Sequence, residues 1–467
     1  MRRTKIVATI GPASESPAAL DALIAAGVDV ARLNSSHSGP EELARRLDAV
    51  RAAAERAGRH VAVMLDLAGP KLRLGEVASG TRLEAGAGFS LVPGECSGDA
   101  SRACLTYAGL ADDVAPGNRL LLDDGSLELE VTAVDHGVVH TRVVTGGPLS
   151  SRKGINAPGV ELGVDVITEY DREVLAWGLD AGVDLVAQSF VRSARDVERL
   201  RALIGEGVLP IVAKVETRTA TRDIDAIVAA SDAVMVARGD LGVETSPEEV
   251  PVLQRRIIES CRSSGVPVIV ATQMLESMTS APRPTRAEAS DVANAIFDRV
   301  DAVMLSAETA IGGYPVEAVE TMARIAQRAE ESGAAGSASR GAAGDTGDVT
   351  AAVSAAVCEL ANDLDLEAIV TATQSGATAR AVARHRPSAP VIAVTPDPAV
   401  ARRLSIVWGV RPLVVPLAED TDLMLDSVMA AVRDAGLASA GQRVAVTAGI
   451  TSRVPGATDF VLVRSVK

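Results

Sequence analysis

Ile211-Val212-Ala213-Lys214-Val215-Glu216-Thr217 decides the fold. It begins as a continuous apolar run and then sets a lysine and a glutamate two positions apart. An unbroken Val/Ile/Ala run is what a strand covered on both faces requires, and such strands belong to parallel sheets. Residues at i and i+2 share a face of a strand, so Lys214 and Glu216 point the same way. The stretch therefore predicts a buried parallel strand that turns charged at its C-terminal end.

Seven further runs share this character: Lys5–Ile10, Val28–Asn34, His60–Ala68, Asp184–Val191, Asp232–Asp240, Val266–Met274 and Val300–Glu308. Segments with helical periodicity and start signals lie between them, among them Ser16–Gly27, Pro40–Gly58, Ser193–Gly207, Ser246–Gly265 and Thr285–Arg299. Strands alternating with helices imply βα crossovers. Eight such units within roughly 330 residues point to a TIM barrel rather than an open sheet.

One interval is too long. Between Ala68 and Asp184 lies a Gly-punctuated stretch with β character at Arg82–Glu84, Phe89–Val92, Arg119–Leu122, Leu127–Val134 and Val138–Val144. The displaced helix of the third unit is expected at Thr168–Ala181. After a Gly/Ala/Ser-rich linker a second α/β pattern follows, from Val349–Leu364 through Glu367–Thr373, Ala377–His385, Val391–Thr395, Ala399–Trp408, Arg411–Val415, Arg443–Thr447 and Phe460–Val463. The expected organisation is an α/β protein in four parts. Residues 1–70 and 156–333 form a TIM (β/α)8 barrel, and 71–155 a β-rich lid, itself a small β-barrel, inserted after strand three. Residues 334–348 are a linker, and 349–467 a C-terminal α/β open-sheet domain.

Length and charge agree. The 467 residues suit about three domains. With 46 basic and 61 acidic residues, the formal charge of −15 disfavours nucleic acid and anionic membrane as partners. Aromatic residues are only 2%, too few for base-stacking platforms. No apolar run reaches the ~18 residues of a membrane span, and the basic start at Met1–Lys5 lacks a signal-like apolar region, so a cytoplasmic location is expected. Cys96, Cys104, Cys261 and Cys358 show no metal-type spacing, which fits a reducing compartment without structural zinc.

Barrel chemistry sits at the C-terminal ends of the strands. Those ends carry Arg32, Asn34 and Ser36; Asp66, then Lys71 and Arg73; Lys214 and Glu216; Arg238 and Asp240; Thr272; Ser306 and Glu308. Charges gathered in a partly buried bowl cost several kcal/mol each unless they are paired or liganded. Glu216 and Asp240 are hard oxygen donors suited to Mg²⁺, with Arg32, Arg73 and Lys214 supplying positive charge beside it. A metal plus cations around a transferring group is what phosphoryl transfer needs. No P-loop or dinucleotide fingerprint is present, and the histidines show no paired ligand spacing.

At these residues the chain resembles the pyruvate kinase family. The likeness rests on Thr4–Ser14, Ala31–His37, Gly69–Arg73, Lys153–Gly159, Ser189–Arg192, Ile211–Thr217, Met235–Glu244, Ala271–Met278 and Met304–Ala310. It implies transfer of phosphate from phosphoenolpyruvate to ADP, giving pyruvate and ATP, the last step of glycolysis. By position, Glu216 and Asp240 resemble Mg²⁺ ligands, with Mn²⁺ as a substitute. Lys214 resembles the lysine on the transferring group, and Arg32 and Arg73 the arginines that neutralise phosphate. Ala237, Arg238, Gly239, Asp240 and Thr272 resemble the substrate cradle, with Thr272 and Ser306 delivering the proton. Asn34, Arg73 and Lys153 would meet the nucleotide.

Asn34, Ser36, Asp66 and Leu67 match the family's K⁺ site, but Lys71 and Leu67 stand where K⁺-dependent members carry Glu and Thr. Lys71 is therefore expected to replace K⁺. Ile311 stands where a lysine is usual. Thr373, Ser375, Gly376 and Thr378 match the loop that takes a phosphorylated allosteric effector, and a homotetramer is expected. The rival expectations are an inactive phospho-metabolite sensor and another metal-dependent pyruvate or enolate barrel enzyme.

Overall fold

The computed structural model describes residues 2–333, 348–416, 421–449 and 458–466. Eight parallel strands close into a barrel in sequential order: β1 (Lys5–Thr9), β2 (Val30–Asn34), β3 (Ala62–Leu67), β4 (Leu185–Gln188), β5 (Ile211–Val215), β6 (Ala233–Ala237), β7 (Val268–Ala271) and β8 (Ala302–Leu305). All eight expected runs are strands, trimmed by a few residues at their ends. The polar residues that follow them are the βα loops.

Alternation along each strand separates two cores. Ile211, Ala213 and Val215 of β5 face outward into the layer beneath the helices, together with Leu65, Val186 and Val234. Val212 faces inward, with Val7, Val30, Met64, Ala187 and Met235. Lys214 shares the inward face of Val212, as Arg32 shares that of Val30 and Asp66 that of Met64. The pleat thus lifts a charged layer onto an apolar barrel interior. The helices begin as the sequence suggested: Ser16 caps Pro17–Ala26, while Thr168 and Thr285 form capping boxes with Asp171 and Glu288.

The inserted lid is a six-stranded sheet ordered Ile155–Asn156, Arg119–Leu122, Leu127–Asp135, Val138–Thr145, Gly88–Pro93 and Arg102–Leu105, around a core that includes Phe89, Leu91, Leu120 and Leu129. Arg102–Leu105 and the returning Ile155–Asn156 are strands that their short, mixed sequences did not signal. Because Ile155–Asn156 pairs with Arg119–Leu122 and Ala157 lies in the lid core, the lid reaches at least to residue 157. The hinge leaves the barrel at Gly69, whose φ of +67° suits glycine. A Cβ there would come within 2.7 Å of the Phe190 ring.

Cys96 and Cys104 are joined in a disulfide within the lid, with Cα atoms 5.6 Å apart. This departs from the reducing-compartment expectation. Strand Ser97–Gly98 and strand Arg102–Leu105 fold the chain back so that two cysteines with uninformative spacing meet. Cys261 and Cys358 are free and buried.

The C-terminal domain is a five-stranded sheet. Parallel strands Val410–Val414, Val391–Thr395, Ala368–Ala372 and Arg443–Ala448 are followed by an antiparallel edge, Phe460–Ser465. The expected linker lies outside the described residues except for Asp348, whose side chain caps helix Val349–Asp363. The domain docks on the floor of the barrel, at the N-terminal ends of the strands. Arg402 bonds Asp184 at 2.7 Å, and Arg386 bonds Asp301 at 3.0 Å. No helix among the described residues is long and apolar enough to cross a membrane.

Candidate active site

A row of paired charges crosses the top of the barrel. Arg32 donates through Nε to Asp66 Oδ2 at 2.6 Å and through Nη1 to Thr9 Oγ1 at 3.0 Å. Asp66 Oδ1 lies 3.2 Å from Lys214 Nζ, and Lys214 Nζ lies 2.9 Å from Glu216 Oε1. Glu216 Oε2 accepts the Phe190 N–H at 2.8 Å. Asp66 and Glu216 are each only 1% exposed. Parallel pairing sets this order: Arg32 and Asp66 come from the adjacent strands β2 and β3, whereas Lys214 comes from β5 and meets Asp66 across β4, which sets the uncharged Ala187 opposite Asp66.

Burial works against each of these charges, and their neighbours decide the outcome. For Lys214, burial opposes the ammonium, but the Asp66 and Glu216 carboxylates more than offset it and raise its pKa above the ordinary value. Asp66 is pushed up by burial yet held below the usual carboxylate range by Arg32 and Lys214. Glu216 is raised, first by burial and then, against the pull of Lys214, by Asp240. Glu216 has only the Lys214 ammonium against it, and that cation is shared with Asp66, so the carboxylates at this end of the row are short of positive charge. That fits a divalent cation held by Glu216 and Asp240, with substrate oxygens filling the remaining positions. No third His, Cys, Asp or Glu joins them among the described residues.

The substrate cradle lies beside this row. Thr272 has φ +69°, and its Oγ1 accepts the Gly239 N–H at 2.8 Å while donating to the Ala271 carbonyl at 2.6 Å. A β-branched residue held in the left-handed region is strained by ~1–3 kcal/mol, a cost often found where a site imposes geometry. Ser306 Oγ is buried and has no hydrogen-bond partner among the described residues. The Ser306 N–H is held by Glu308, which also accepts the Leu275 N–H and is fully buried.

Some expected residues are engaged elsewhere. The Arg238 guanidinium is not in the barrel mouth with the other cations. It bonds Asp291 at 2.7 Å and the Thr272 carbonyl at 2.7 Å, so it braces the loops while Ala237 and the Gly239 N–H stay at the strand end. Lys153 pairs with Asp123 of its own lid at 2.8 Å. Arg73 donates to the Arg152 carbonyl and has no carboxylate partner among the described residues.

Of the K⁺-site equivalents, Asn34 Oδ1 accepts the Ser36 N–H, and both Asp66 oxygens are taken by Arg32 and Lys214. The Leu67 carbonyl accepts from Ser189. Lys71 is exposed and lies along the hinge beside Gly154. Ile311 is 70% exposed. In the C-terminal loop, Thr373 Oγ1 accepts the Gly376 N–H and Thr378 bonds Thr458, which leaves Ser375 exposed.

The residue that sequence reasoning gave no role is Ser189. Its Oγ receives the Lys214 ammonium at 2.7 Å and donates to the Leu67 carbonyl at 2.6 Å, steering the lysine from the side. The rule that strand ends carry function would have marked it, since it directly follows β4.

An open cleft lies between lid and barrel, lined by Lys71, Asn156, Phe190, Asp240 and Glu244. Burial pushes Glu244 up to about 6, partly countered by a hydrogen bond from Asn156 of the lid. A carboxyl raised in the folded state stabilises below its unfolded pKa, and that contribution is lost as pH rises through about 6. Relative to wild type, metal-free Glu244→Gln should therefore gain about 2 kcal/mol between pH 4.5 and 7.5. Urea unfolding of both proteins at the two pH values measures this, and parallel pH curves would refute it.

The family profile described as "Pyruvate kinase, barrel domain" matches residues 1–319, and that described as "Pyruvate kinase, alpha/beta domain" matches residues 351–464. The chain is 47% identical to a pyruvate kinase of Geobacillus stearothermophilus, over 99% of this chain and 80% of that protein. It is 41% identical to one of Clostridium acetobutylicum, over the full length of both. A crystal structure of a pyruvate kinase from Cryptosporidium parvum superposes with a TM-score of 0.93 at 33% identity, covering 100% of this chain and 96% of that one.

Proposed function

The chain belongs to the pyruvate kinase family and is a phosphotransferase, and from that premise we propose how its own residues carry phosphate from phosphoenolpyruvate to ADP. The observation that carries the reading is the buried row Arg32–Asp66–Lys214–Glu216, which gathers cationic groups in an otherwise acidic chain.

Arg32, fixed by Asp66, and Arg73, without a carboxylate partner among the described residues, receive the phosphoryl oxygens. Lys214 is held charged between two carboxylates and steered by Ser189, so its ammonium meets the negative charge that develops on the transferring group and the enolate. Thr272 and the Gly239 N–H, with Ala237 behind them, orient the substrate carboxylate, while Arg238 holds the loop beneath. Ser306, whose hydroxyl has no partner among the described residues, and Thr272 pass the proton that turns enolpyruvate into pyruvate. Glu216 and Asp240 would hold Mg²⁺ or Mn²⁺, which supplies Lewis-acid charge to the substrate oxygens when bound. Lid closure over Asn34 would bring the lid's Arg73 and Lys153 to the nucleotide and exclude water.

Lys71 and Leu67, together with the full occupation of both Asp66 oxygens by protein cations, support a K⁺-independent enzyme. The family premise further supports a cytoplasmic homotetramer whose phosphorylated effector meets the Thr373–Thr378 loop, at Ser375 above all. The test is pyruvate formation from phosphoenolpyruvate, ADP and Mg²⁺, read by a coupled dehydrogenase in tetramethylammonium buffer. The expected result is turnover that KCl raises by less than about ten-fold. No turnover would overturn the reaction, and larger activation would overturn K⁺ independence alone.

A further inference from the structure

The helix Glu169–Ala181 starts where the chain returns from the lid, and its first turn reaches two separate places in the barrel mouth. Asp171, which is fully buried, accepts the N–H of the hinge residue Gly69 on Oδ1 at 3.2 Å. Its Oδ2 is taken by Thr168, through the N–H at 2.9 Å and the hydroxyl at 2.7 Å. The capping box that starts the helix therefore also fixes the carboxylate that holds the hinge. One residue earlier, the Tyr170 hydroxyl leaves its own helix altogether. It donates to the Ser35 carbonyl at 3.1 Å and to the Ser38 carbonyl at 3.0 Å, across the loop that follows β2.

That loop holds a single 3-10 turn, Ser35–His37, capped by the Asn34 side chain. The Ser35 hydroxyl donates to the Asp66 carbonyl at 2.8 Å, and Arg46 donates to the Ser38 hydroxyl at 2.6 Å. A turn this short has poor internal hydrogen bonding and takes its shape from such outside contacts. Tyr170 supplies the contact that spans it, touching the carbonyls on either side of Ser36 and His37. Burial, and then the Asp171 and Glu173 carboxylates, raise the Tyr170 pKa above its ordinary value, so the phenol keeps the proton it donates at neutral pH. Its ring is rigid, and the bond is made with little loss of side-chain freedom.

On the reading that Asn34 meets the nucleotide, on which this assignment rests, we propose that Tyr170 is a positioning residue for the nucleoside diphosphate. It holds the Ser35–Ser38 turn, and Asn34 with it, in place for that substrate, while Asp171 of the same helical turn keeps the lid hinge aligned with the loop. Tyr170 acts through the loop and does not touch the nucleotide.

The experiment compares full-length wild type with Tyr170→Phe, which keeps the ring and removes the hydroxyl, and with Tyr170→Ala. Losing this hydrogen bond should raise the KM for ADP by about three- to ten-fold. The KM for phosphoenolpyruvate and kcat should stay within about two-fold, a split that a general loss of folded protein does not produce, since that lowers kcat alone. Tyr170→Ala should raise the KM for ADP at least as far. Thermal melts read the same effect without turnover. ADP with Mg²⁺ should raise the Tm of Tyr170→Phe less than that of wild type, and phosphoenolpyruvate with Mg²⁺ should raise both equally. An unchanged KM for ADP in Tyr170→Phe, or KM values for both substrates rising together, would overturn the positioning role. A wild type without turnover would instead remove the reaction, and equal ADP-induced gains in Tm for wild type and Tyr170→Phe would then overturn the role of Tyr170.

Discussion

Lys214→Met should lower kcat by roughly 10²–10³ while changing the KM for phosphoenolpyruvate far less, because the ammonium acts on charge that appears only in the transition state. The effect is large because Lys214 is the one cation in direct contact with both carboxylates of the row. Arg32 reaches Asp66 from the other side and cannot replace it. Stability should fall too. Losing one member of a buried charged cluster costs about 3–5 kcal/mol, and here it leaves Glu216 facing Asp240 without its counter-ion. Lys214→Arg separates the two effects. It keeps the charge and much of the stability, but its fork does not fit the Asp66, Ser189 and Glu216 oxygens that fix the single ammonium. Steady-state kinetics and urea unfolding measure both effects. A Lys214→Met rate within ten-fold of wild type would end the proposed role.

The second large effect concerns the carboxylate pair. Glu216→Gln keeps the shape and leaves an oxygen to accept the Phe190 N–H, but removes the charge a divalent cation needs. The Mg²⁺ concentration for half-maximal rate should rise by at least the ~10–100-fold typical of disturbed metal sites. EDTA should abolish wild-type turnover. The same site should be visible without turnover: Mg²⁺ should raise the wild-type Tm and leave Glu216→Gln unmoved. Unchanged Mg²⁺ dependence of both rate and Tm in the variant would remove Glu216 from the metal.

Much of this protein was legible from local sequence. Eight apolar runs alternating with capped helices specify parallel βα units, because a strand covered on both faces has to be apolar throughout. The two-residue period put Arg32 with Asn34, and Lys214 with Glu216, on one face of their strands, and the closed barrel turned that face inward. The insertion was legible as an interval too long for one helix. The short lid strands at Arg102–Leu105 and Ile155–Asn156 were not, since their pairing partners lie up to tens of residues away and supply what their own composition lacks.

What the sequence determined alone was therefore the architecture and most of the charged groups at the barrel mouth, with Arg238 misplaced and Ser189 missed, since the periods of two and 3.6 residues fix elements and faces but not side-chain partners. Partners were decided only in three dimensions. Arg238 turned to Asp291, Lys153 to Asp123, Cys96 to Cys104, and Ser189 to Lys214. On the barrel floor, Arg262 and Arg384 line one cleft although they belong to the barrel and the C-terminal domain. A charge or a thiol takes whichever partner the closed barrel and the docked domains bring within about 3 Å, and that distance is not encoded in spacing along the chain.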